Sequence, residues 1–185
     1  MFPLALVCGN TFVLKPSERV PLTAQRLAEL LAESGLPKGV FNLVHGGKDA
    51  VDALLTHPLV KAVSFVGSTP VARAVHLTAS THGKRVQANG GAKNYIVVMP
   101  DADVGKTVEA VMNAAFGWAG ERCMAGSSLL TVGDRGRAVM PDLIKAAQSL
   151  TVGRTDVEAQ PGMGAVITAA HRERVRGLVD EGERA

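Results

Sequence analysis

One cysteine in a glycine-flanked segment is the residue best suited to covalent chemistry in this sequence. Cys123 lies in the run Gly117-Trp118-Ala119-Gly120-Glu121-Arg122-Cys123-Met124-Ala125. The thiolate is the reactive form of cysteine, and a neighbouring cation such as Arg122 favours that form. Glycines also let a substrate approach the backbone closely. The pattern indicates a nucleophilic cysteine, with a small buried side chain as the alternative.

Two further groups have side chains or amides that suit a nucleotide. Lys15 and Glu18 follow a predicted strand, and in parallel sheets nucleotides bind in the crevice at the strand ends. Ser68 lies where a strand meets a helix, and the unpaired amides at a helix N-terminus suit a phosphate. The alternatives are a solvated charged turn at Lys15 and an ordinary helix cap at Ser68. The chain has no GxGxxG fingerprint.

Strands and helices alternate through most of the chain, which predicts an α/β fold with parallel strands and right-handed crossovers. Apolar, β-rich runs predict six strands: 11–14, 40–44, 62–66, 85–88, 95–99 and 128–132. Helical periodicity predicts helices at 21–34, 49–56, 70–80, 104–116 and 138–150, and a last one after Thr168 with Val175, Leu178 and Val179 on its apolar face. Residues 89–92 and 160–164 are predicted loops, and Asp101 or Asp103 is expected to cap the helix that precedes Gly117.

Composition excludes several classes of protein. The formal charge is +3, but the basic residues are scattered and not interleaved with aromatic ones, so nucleic-acid binding is not indicated. The apolar start, 1–8, is too short to span a membrane and lacks a basic region. The five histidines show no metal-ligand spacing, so no metal site is predicted. Two cysteines, of which Cys8 is read as a packing residue, suggest a reducing compartment.

Several separate motifs resemble those of the aldehyde dehydrogenase family. The run Gly9-Asn10-Thr11-Phe12-Val13-Leu14-Lys15-Pro16-Ser17-Glu18 matches the family's "GNTxVLKPSE" signature. Phe65-Val66-Gly67-Ser68-Thr69 resembles its "FTGST" turn, with Val66 in place of the threonine. Asp101-Ala102-Asp103 and then Cys123 follow in the family's order. The resemblance implies a Rossmann-like cofactor domain, present in part over 1–88, joined to part of an α/β catalytic domain over 89–185.

Within that family the chain resembles the CoA-acylating, methylmalonate-semialdehyde branch. The residues that carry this resemblance are 86–94, 97–102 and 114–125. It implies oxidation of methylmalonate or malonate semialdehyde through a thioacyl intermediate on Cys123, with NAD as cofactor and CoA as acyl acceptor. The products would be propionyl-CoA or acetyl-CoA.

The resemblance also assigns residues to the cofactor. It implies that Lys15 and Glu18 hold the adenosine ribose of NAD, with Arg19 nearby. Ser68 would contact the pyrophosphate, and Gly90 would approach the nicotinamide end. A glutamate at position 18 favours NAD, because it would repel a 2′-phosphate.

Asn89 stands where hydrolytic members of the family carry a glutamate that activates water. An asparagine cannot act as that base, whereas a CoA thiolate needs less help. Asn89 therefore fits acyl transfer to CoA, with a role in shaping the glycine-rich turn as the alternative. Arg122 would either favour the thiolate or pair with a substrate carboxylate as a planar fork, and we favour the second role over a plain surface arginine.

Family members are much longer, so we expect an internal fragment that is incomplete as an enzyme. A hydrolytic NAD-dependent aldehyde dehydrogenase and a non-catalytic NAD-binding or assembly fragment stay open as alternatives. The expected location is the cytoplasm, or the mitochondrial matrix if a targeting segment precedes Met1. The resemblance implies a homo-oligomer, and the expected partner is a small-molecule semialdehyde.

Overall fold

The computed structural model describes residues 1–156 and 161–185 and separates into two compact units. They are Met1–Gly91 and Ala92–Ala185. Asn89, placed in a loop by the sequence, ends a strand of the first unit. The identity of the units as partial NAD-binding and partial catalytic domains stays a prediction.

In the first unit, helices and strands alternate as predicted. The elements are α1 (Phe2–Val7), β1 (Phe12–Leu14), α2 (Leu22–Glu33), β2 (Phe41–Leu43), α3 (Lys48–Thr56), β3 (Ala62–Val66), α4 (Thr69–Thr81) and β4 (Arg85–Asn89). β1 pairs with β2 and β3 pairs with β4, both in parallel. The α/β class with parallel pairing is thus confirmed, but the described strands form separate two-stranded sheets rather than one continuous sheet.

The core of the first unit lies where α3 and α4 cover the β3–β4 pair. α4 buries Ala72, Val75 and Ala79, which follow the helical spacing of three and four residues. They meet Leu55 of α3 and strand residues that include Phe65. Full burial of a valine or leucine side chain contributes roughly 1.5–3 kcal/mol to stability. This packing fixes the ends of β3 and β4 relative to the start of α4.

A buried lysine lies in the same unit, and the sequence did not predict it. Lys84 is only 8% exposed, although lysine is almost never buried without a partner. Its ammonium group donates to the backbone carbonyls of His57 and Val60, at the end of α3 and just before β3. It therefore ties together the short connection between α3 and β3, since the two carbonyls lie at its two ends.

The apolar start of the chain is helical and largely exposed. Leu4 and Val7 are exposed, and α1 has no buried residue. The contact it does make is aromatic: the Phe2 ring lies edge-on to Phe12 and Phe41, which stack on each other. The packing role predicted for Cys8 is wrong, because Cys8 follows this helix and is exposed.

In the second unit, two strands form a parallel pair flanked by helices. Its elements are β5 (Asn94–Val98), α5 (Val104–Val111), a π-helical turn (Met112–Phe116), β6 (Gly126–Thr131), α6 (Arg135–Gln148) and α7 (Ala169–Arg184). Its core consists of Val98, Val111, Val139 and Leu143. The β5–β6 register shifts at its start, where Asn94 pairs with Gly126 but Tyr95 pairs with Ser128. Ser127 is thus the extra residue of a bulge.

Side-chain caps begin two helices of this unit as predicted. The Asp103 carboxylate, rather than Asp101, accepts from the Lys106 amide at 2.8 Å. The Thr168 hydroxyl accepts from the His171 amide at 3.1 Å. The apolar residues of α7 are more exposed than a buried face would be, since Leu178 is 54% exposed. The predicted loop at 160–164 begins at Gln160, which lies outside the described residues.

The helix that leads toward Cys123 is interrupted. The sequence predicts one helix over 104–116, but the α-helix ends at Val111 and a π-helical turn follows. A π-helical turn holds an extra residue and loosens the usual i to i−4 hydrogen-bond ladder, and such turns are frequent at functional sites. None of the helices in the described ranges is long and apolar enough to cross a membrane.

Candidate active site

Cys123 lies in a short irregular segment between the π-helical turn and β6, and it is exposed. The backbone reaches it through three consecutive residues with left-handed dihedrals. Trp118 and Ala119 have φ values of 57° and 56°, and Gly120 follows with 70°. Left-handed backbone costs a residue with a Cβ atom about 1–2 kcal/mol. Non-glycine residues held in it cluster at functional sites, so the strain singles out this turn independently of the cysteine.

The side chain of Arg122 folds back onto the π-helical turn. Its Nη2 atom donates to the backbone carbonyl of Asn113. The guanidinium lies against Gly117, where a Cβ atom would require the arginine side chain to move. The arginine is exposed and has five N–H donors, so this bond leaves others for a planar anion. The substrate-binding role of Arg122 stays a prediction.

Asn94 holds the segment from the other side, and the sequence reasoning gave it no role. Its Nδ2 atom donates to the backbone carbonyl of Cys123 at 2.9 Å and to that of Ala125 at 3.0 Å. Asn94 is the first residue of β5, next to the bulge opposite β6. An asparagine before a strand gives no local signal for this bond, because its acceptors lie 29 and 31 residues away.

A third tether involves Glu121. Its Oε1 atom lies 3.1 Å from Nε2 of His171, in the first turn of α7. Glu121, Arg122 and Cys123 are thus consecutive residues that contact three different parts of the second unit. The sequence reasoning missed this pair too, because the partners are far apart in the chain. Together the three contacts hold an exposed thiol on a fixed backbone.

In the first unit, Lys15 and Glu18 form a charged turn after β1. Lys15 donates through Nζ to the carbonyl of Gly46 at 2.8 Å and to Glu18 Oε2 at 3.4 Å. The pKa of the Glu18 carboxyl lies below its usual value, because its own backbone amide and then Lys15 donate to it, and the charges of Lys15 and Arg19 add to this. Glu18 is exposed and anionic, and Arg19 beside it is also exposed.

A second cluster brings three predicted site residues together. The Gly67 amide donates to the Asn89 carbonyl at 3.1 Å, so Ser68 and Gly90 each follow one strand of the same pair. The Gly91 amide donates to the Thr69 hydroxyl at 2.9 Å. A Cβ atom at Gly90 would lie 2.9 Å from that hydroxyl oxygen and 3.0 Å from Thr69 Cα, so glycine is needed there.

The start of α4, next to this cluster, is suited to an anion. Ser68 occupies the cap position with extended backbone, but no side chain among the described residues caps this helix. Pro70 has no N–H, so the amides available to a phosphate are those of Thr69 and Val71, and the helix dipole also favours an anion there. Asn89 and Gly90 are exposed at this edge. The cofactor roles of Lys15, Glu18, Arg19, Ser68 and Gly90 and the catalytic role of Asn89 stay predictions.

No group of three or more histidine, cysteine or acidic side chains that could hold a metal occurs within 1–156 and 161–185.

Known proteins resemble the chain over its whole length. It is 54% identical over 184 residues to a malonate-semialdehyde dehydrogenase of Halalkalibacterium halodurans, an alignment of 100% of this chain and 38% of that protein. The crystal structure of a methylmalonate-semialdehyde dehydrogenase from Oceanimonas doudoroffii superposes with a TM-score of 0.90 at 54% identity, over 100% of this chain and 38% of that one. A putative methylmalonate-semialdehyde dehydrogenase of Sinorhizobium meliloti, complexed with NAD, superposes with a TM-score of 0.89 at 50% identity and with the same coverage.

The chain thus spans well under half the length of these relatives. The family model for aldehyde dehydrogenases matches residues 1–185. Both the alignment with relatives and the family match include the two clusters and the segment around Cys123 described above. The chain belongs to the aldehyde dehydrogenase family.

Proposed function

We propose that the whole protein oxidises malonate or methylmalonate semialdehyde and transfers the acyl group to CoA, with NAD as the hydride acceptor. The observation that carries this proposal is the exposed Cys123 on a strained, tethered turn. The names of the relatives, malonate-semialdehyde and methylmalonate-semialdehyde dehydrogenase, support the substrate class. The neighbour solved in complex with NAD supports the cofactor.

The chemistry begins with Cys123. Its thiolate adds to the aldehyde carbon, and the carbonyl oxygen takes a proton, which gives a thiohemiacetal. Bound NAD would supply the hydride acceptor for this carbon, and loss of the hydride and of the hydroxyl proton leaves a thioester on Cys123. The carboxylate beta to the thioester carbonyl then leaves as CO2, and a proton replaces it. Attack by the CoA thiolate on the thioester releases the acyl group and regenerates the Cys123 thiolate.

Asn89 accounts for the choice of acyl acceptor in this proposal. Release of a free acid needs a water molecule activated by a general base, and an amide side chain has no basic site for that proton. A thiol ionises far more readily than water and is a strong nucleophile, so CoA can attack without such a base. The amide of Asn89 therefore supports transfer to CoA over hydrolysis.

Arg122 is the proposed partner of the substrate carboxylate. It lies directly before the nucleophile and is exposed, and its guanidinium can bind a carboxylate through two parallel hydrogen bonds. Such a clamp would orient the semialdehyde so that its aldehyde end faces the thiol. It would also select semialdehydes with a carboxylate over plain aldehydes.

The first unit supplies the proposed NAD contacts. Lys15 and the anionic Glu18 suit the two hydroxyls of a ribose, with Arg19 beside them, and Glu18 would repel a 2′-phosphate. The uncapped start of α4 at Ser68 suits the pyrophosphate, and the exposed backbone of Gly90 is the proposed contact of the nicotinamide end. We also propose a cytoplasmic homo-oligomer for the whole protein.

The decisive experiment measures NADH formation by the whole protein from malonate semialdehyde, with and without CoA. We expect turnover that requires CoA and yields acetyl-CoA. Cys123→Ala should abolish turnover, by at least about a thousandfold, whereas Cys8→Ala should leave it unchanged. Equal turnover without CoA, with a free acid as product, would favour the hydrolytic alternative. Activity retained in Cys123→Ala would remove the proposed mechanism altogether.

A further inference from the structure

The strongest contact not explained by the proposed roles is the double hydrogen bond from Asn94 to the Cys123 segment. One side-chain amide donates both to the carbonyl of the nucleophile itself, at 2.9 Å, and to that of Ala125, at 3.0 Å. Met124 between them is 84% exposed, so this residue adds little packing to the segment. The exposed residues 121–124 are therefore held by polar contacts, and Ala125 is the first buried residue after them.

The anchor of this contact is rigid. Asn94 begins β5, which pairs in parallel with β6 and continues into the buried Val98. Ala125, one of the two acceptors, is itself buried at 6% exposure and precedes the first residue of β6. Because Asn94 belongs to a paired strand, its hydrogen bonds fix the backbone of Cys123 relative to the β5–β6 pair.

The bulge at Ser127 explains why a side chain is needed. Regular pairing would continue the ladder upstream of Gly126, but the register shifts there and the strand β6 begins at that residue. The Ala125 carbonyl lies upstream of Gly126, outside the ladder, and because Ala125 is buried an unpaired carbonyl there would cost free energy. Asn94 supplies the donors that the missing ladder would have provided.

We propose that Asn94 is a positioning residue for Cys123: its amide fixes the orientation of the Cys123 peptide and so directs the thiol. The inference rests on the proposed role of Cys123 as the nucleophile. It assigns Asn94 no contact with substrate or cofactor. Because the thiol is already exposed, a loss of reactivity in a variant would report a change in how the thiol is held and in its surroundings.

The test compares the reaction of the two cysteines of the full chain with iodoacetamide, followed peptide by peptide by mass spectrometry. Cys8 is exposed in the first unit and serves as the internal reference. Three variants are needed. Asn94→Leu keeps the size of the side chain and removes the donors, Asn94→Gln keeps an amide, and Asn42→Leu is the matched control. Asn42 also donates to a backbone carbonyl, that of Gly39 at 2.9 Å, but in the first unit.

In the unaltered chain we expect Cys123 to react faster than Cys8. Asn94→Leu should lower the Cys123 rate by a factor on the order of ten, because the freed backbone no longer holds the thiol in one environment that favours the thiolate. Asn94→Gln should recover part of the loss, because it restores an N–H donor. The rate of Cys8 should stay constant throughout, and Asn42→Leu should change neither rate.

The outcomes separate the two ideas. If Cys123 reacts faster than Cys8 and Asn94→Leu does not lower its rate, the positioning role is overturned, whereas the role of Cys123 as nucleophile is still supported. A loss that Asn94→Gln does not recover at all, or that Asn42→Leu reproduces, shows a general effect on folding and also overturns it. If Cys123 in the unaltered chain reacts no faster than Cys8, the proposed nucleophile fails, and the positioning role fails with it.

Discussion

Two regions of the molecule differ in how they are built: the segment around Cys123, residues 117–125, and the strand-end cluster of Ser68, Asn89 and Gly90. The cluster uses regular elements: two paired strands, a helix start and a glycine that fits against Thr69. The Cys123 segment is irregular, with a π-helical turn, three left-handed residues and side chains that bond to backbone carbonyls. Generic features suffice to bind a phosphate or a ribose, whereas a bond-forming atom needs a specified direction.

The largest expected effect comes from adding one methyl group to the left-handed turn. Gly120→Ala places a Cβ atom 3.0 Å from the Ala115 carbonyl oxygen at a φ of 70°. Gly39→Ala has the same kind of backbone, with φ of 82°, but meets nothing within 4 Å. Both should lose about 1–2 kcal/mol of stability. Turnover of the whole protein should fall about a hundredfold in Gly120→Ala alone. Similar turnover in the two variants would contradict the idea that the segment around Cys123 needs a specified backbone direction.

The second prediction concerns Lys84, the buried lysine of the first unit, where the elements are regular. Lys84→Met removes one donor from the His57 carbonyl, which still accepts from the Val60 amide, and one from the Val60 carbonyl. Leaving a buried carbonyl unpaired costs about 1–3 kcal/mol, so we expect a loss of about 2 kcal/mol by chemical denaturation. Lys61→Met is the matched control, because exposed Lys61 donates to the Pro58 carbonyl at 2.8 Å. It should cost far less. The iodoacetamide rate of Cys123, in the second unit, should be unchanged in both variants.

A third prediction concerns the strain at Trp118. Its side chain is 77% exposed, so little burial is lost when it is removed. Trp118→Gly relieves a left-handed residue and should raise the unfolding free energy by about 1 kcal/mol. Trp118→Ala removes the ring but keeps the Cβ atom, so it should give no such gain. A loss of stability in Trp118→Gly would mean that the ring has a packing role.

The smallest effect is the pH dependence set by Glu18. The folded state lowers the pKa of this carboxyl, mainly through hydrogen bonds from its own amide and from Lys15. Its contribution is therefore present above the usual value of 4.5 and is lost as the pH falls through the lowered value. Glu18→Gln should melt slightly below the unaltered chain near neutral pH and approach it in acid. Parallel melting curves at all pH values would contradict this.

Local patterns predicted the regular parts of the molecule. Strand and helix positions follow from apolar periodicity, and Asp103 and Thr168 cap helices because short polar side chains before a helix can accept from its first amides. The motifs also indicated Cys123 and the residues after β1 and β3. These signals are contained within a few neighbouring residues.

What the sequence did not predict depends on residues far apart or on backbone dihedrals. The bonds of Asn94, of Lys84 and of Glu121 with His171 join residues separated by more than twenty positions. Tryptophan and alanine carry no preference for left-handed backbone, so the turn at 118–119 could not be predicted from residue type. Cys8 was misjudged because an apolar neighbourhood in sequence does not guarantee a neighbour in space.

The π-helical turn at Met112–Phe116 makes the spacing along the chain as important as the residues themselves. A turn of this kind behaves as a one-residue insertion into a helix, and each residue of a helix rotates the chain by about 100°. Substitutions within it would leave that rotation intact. Deletion of a single residue would restore an ordinary helix and turn the following segment away from Asn94 and β5. The distance in residues between α5 and Cys123 is therefore a constraint that protein engineering or natural variation would have to respect.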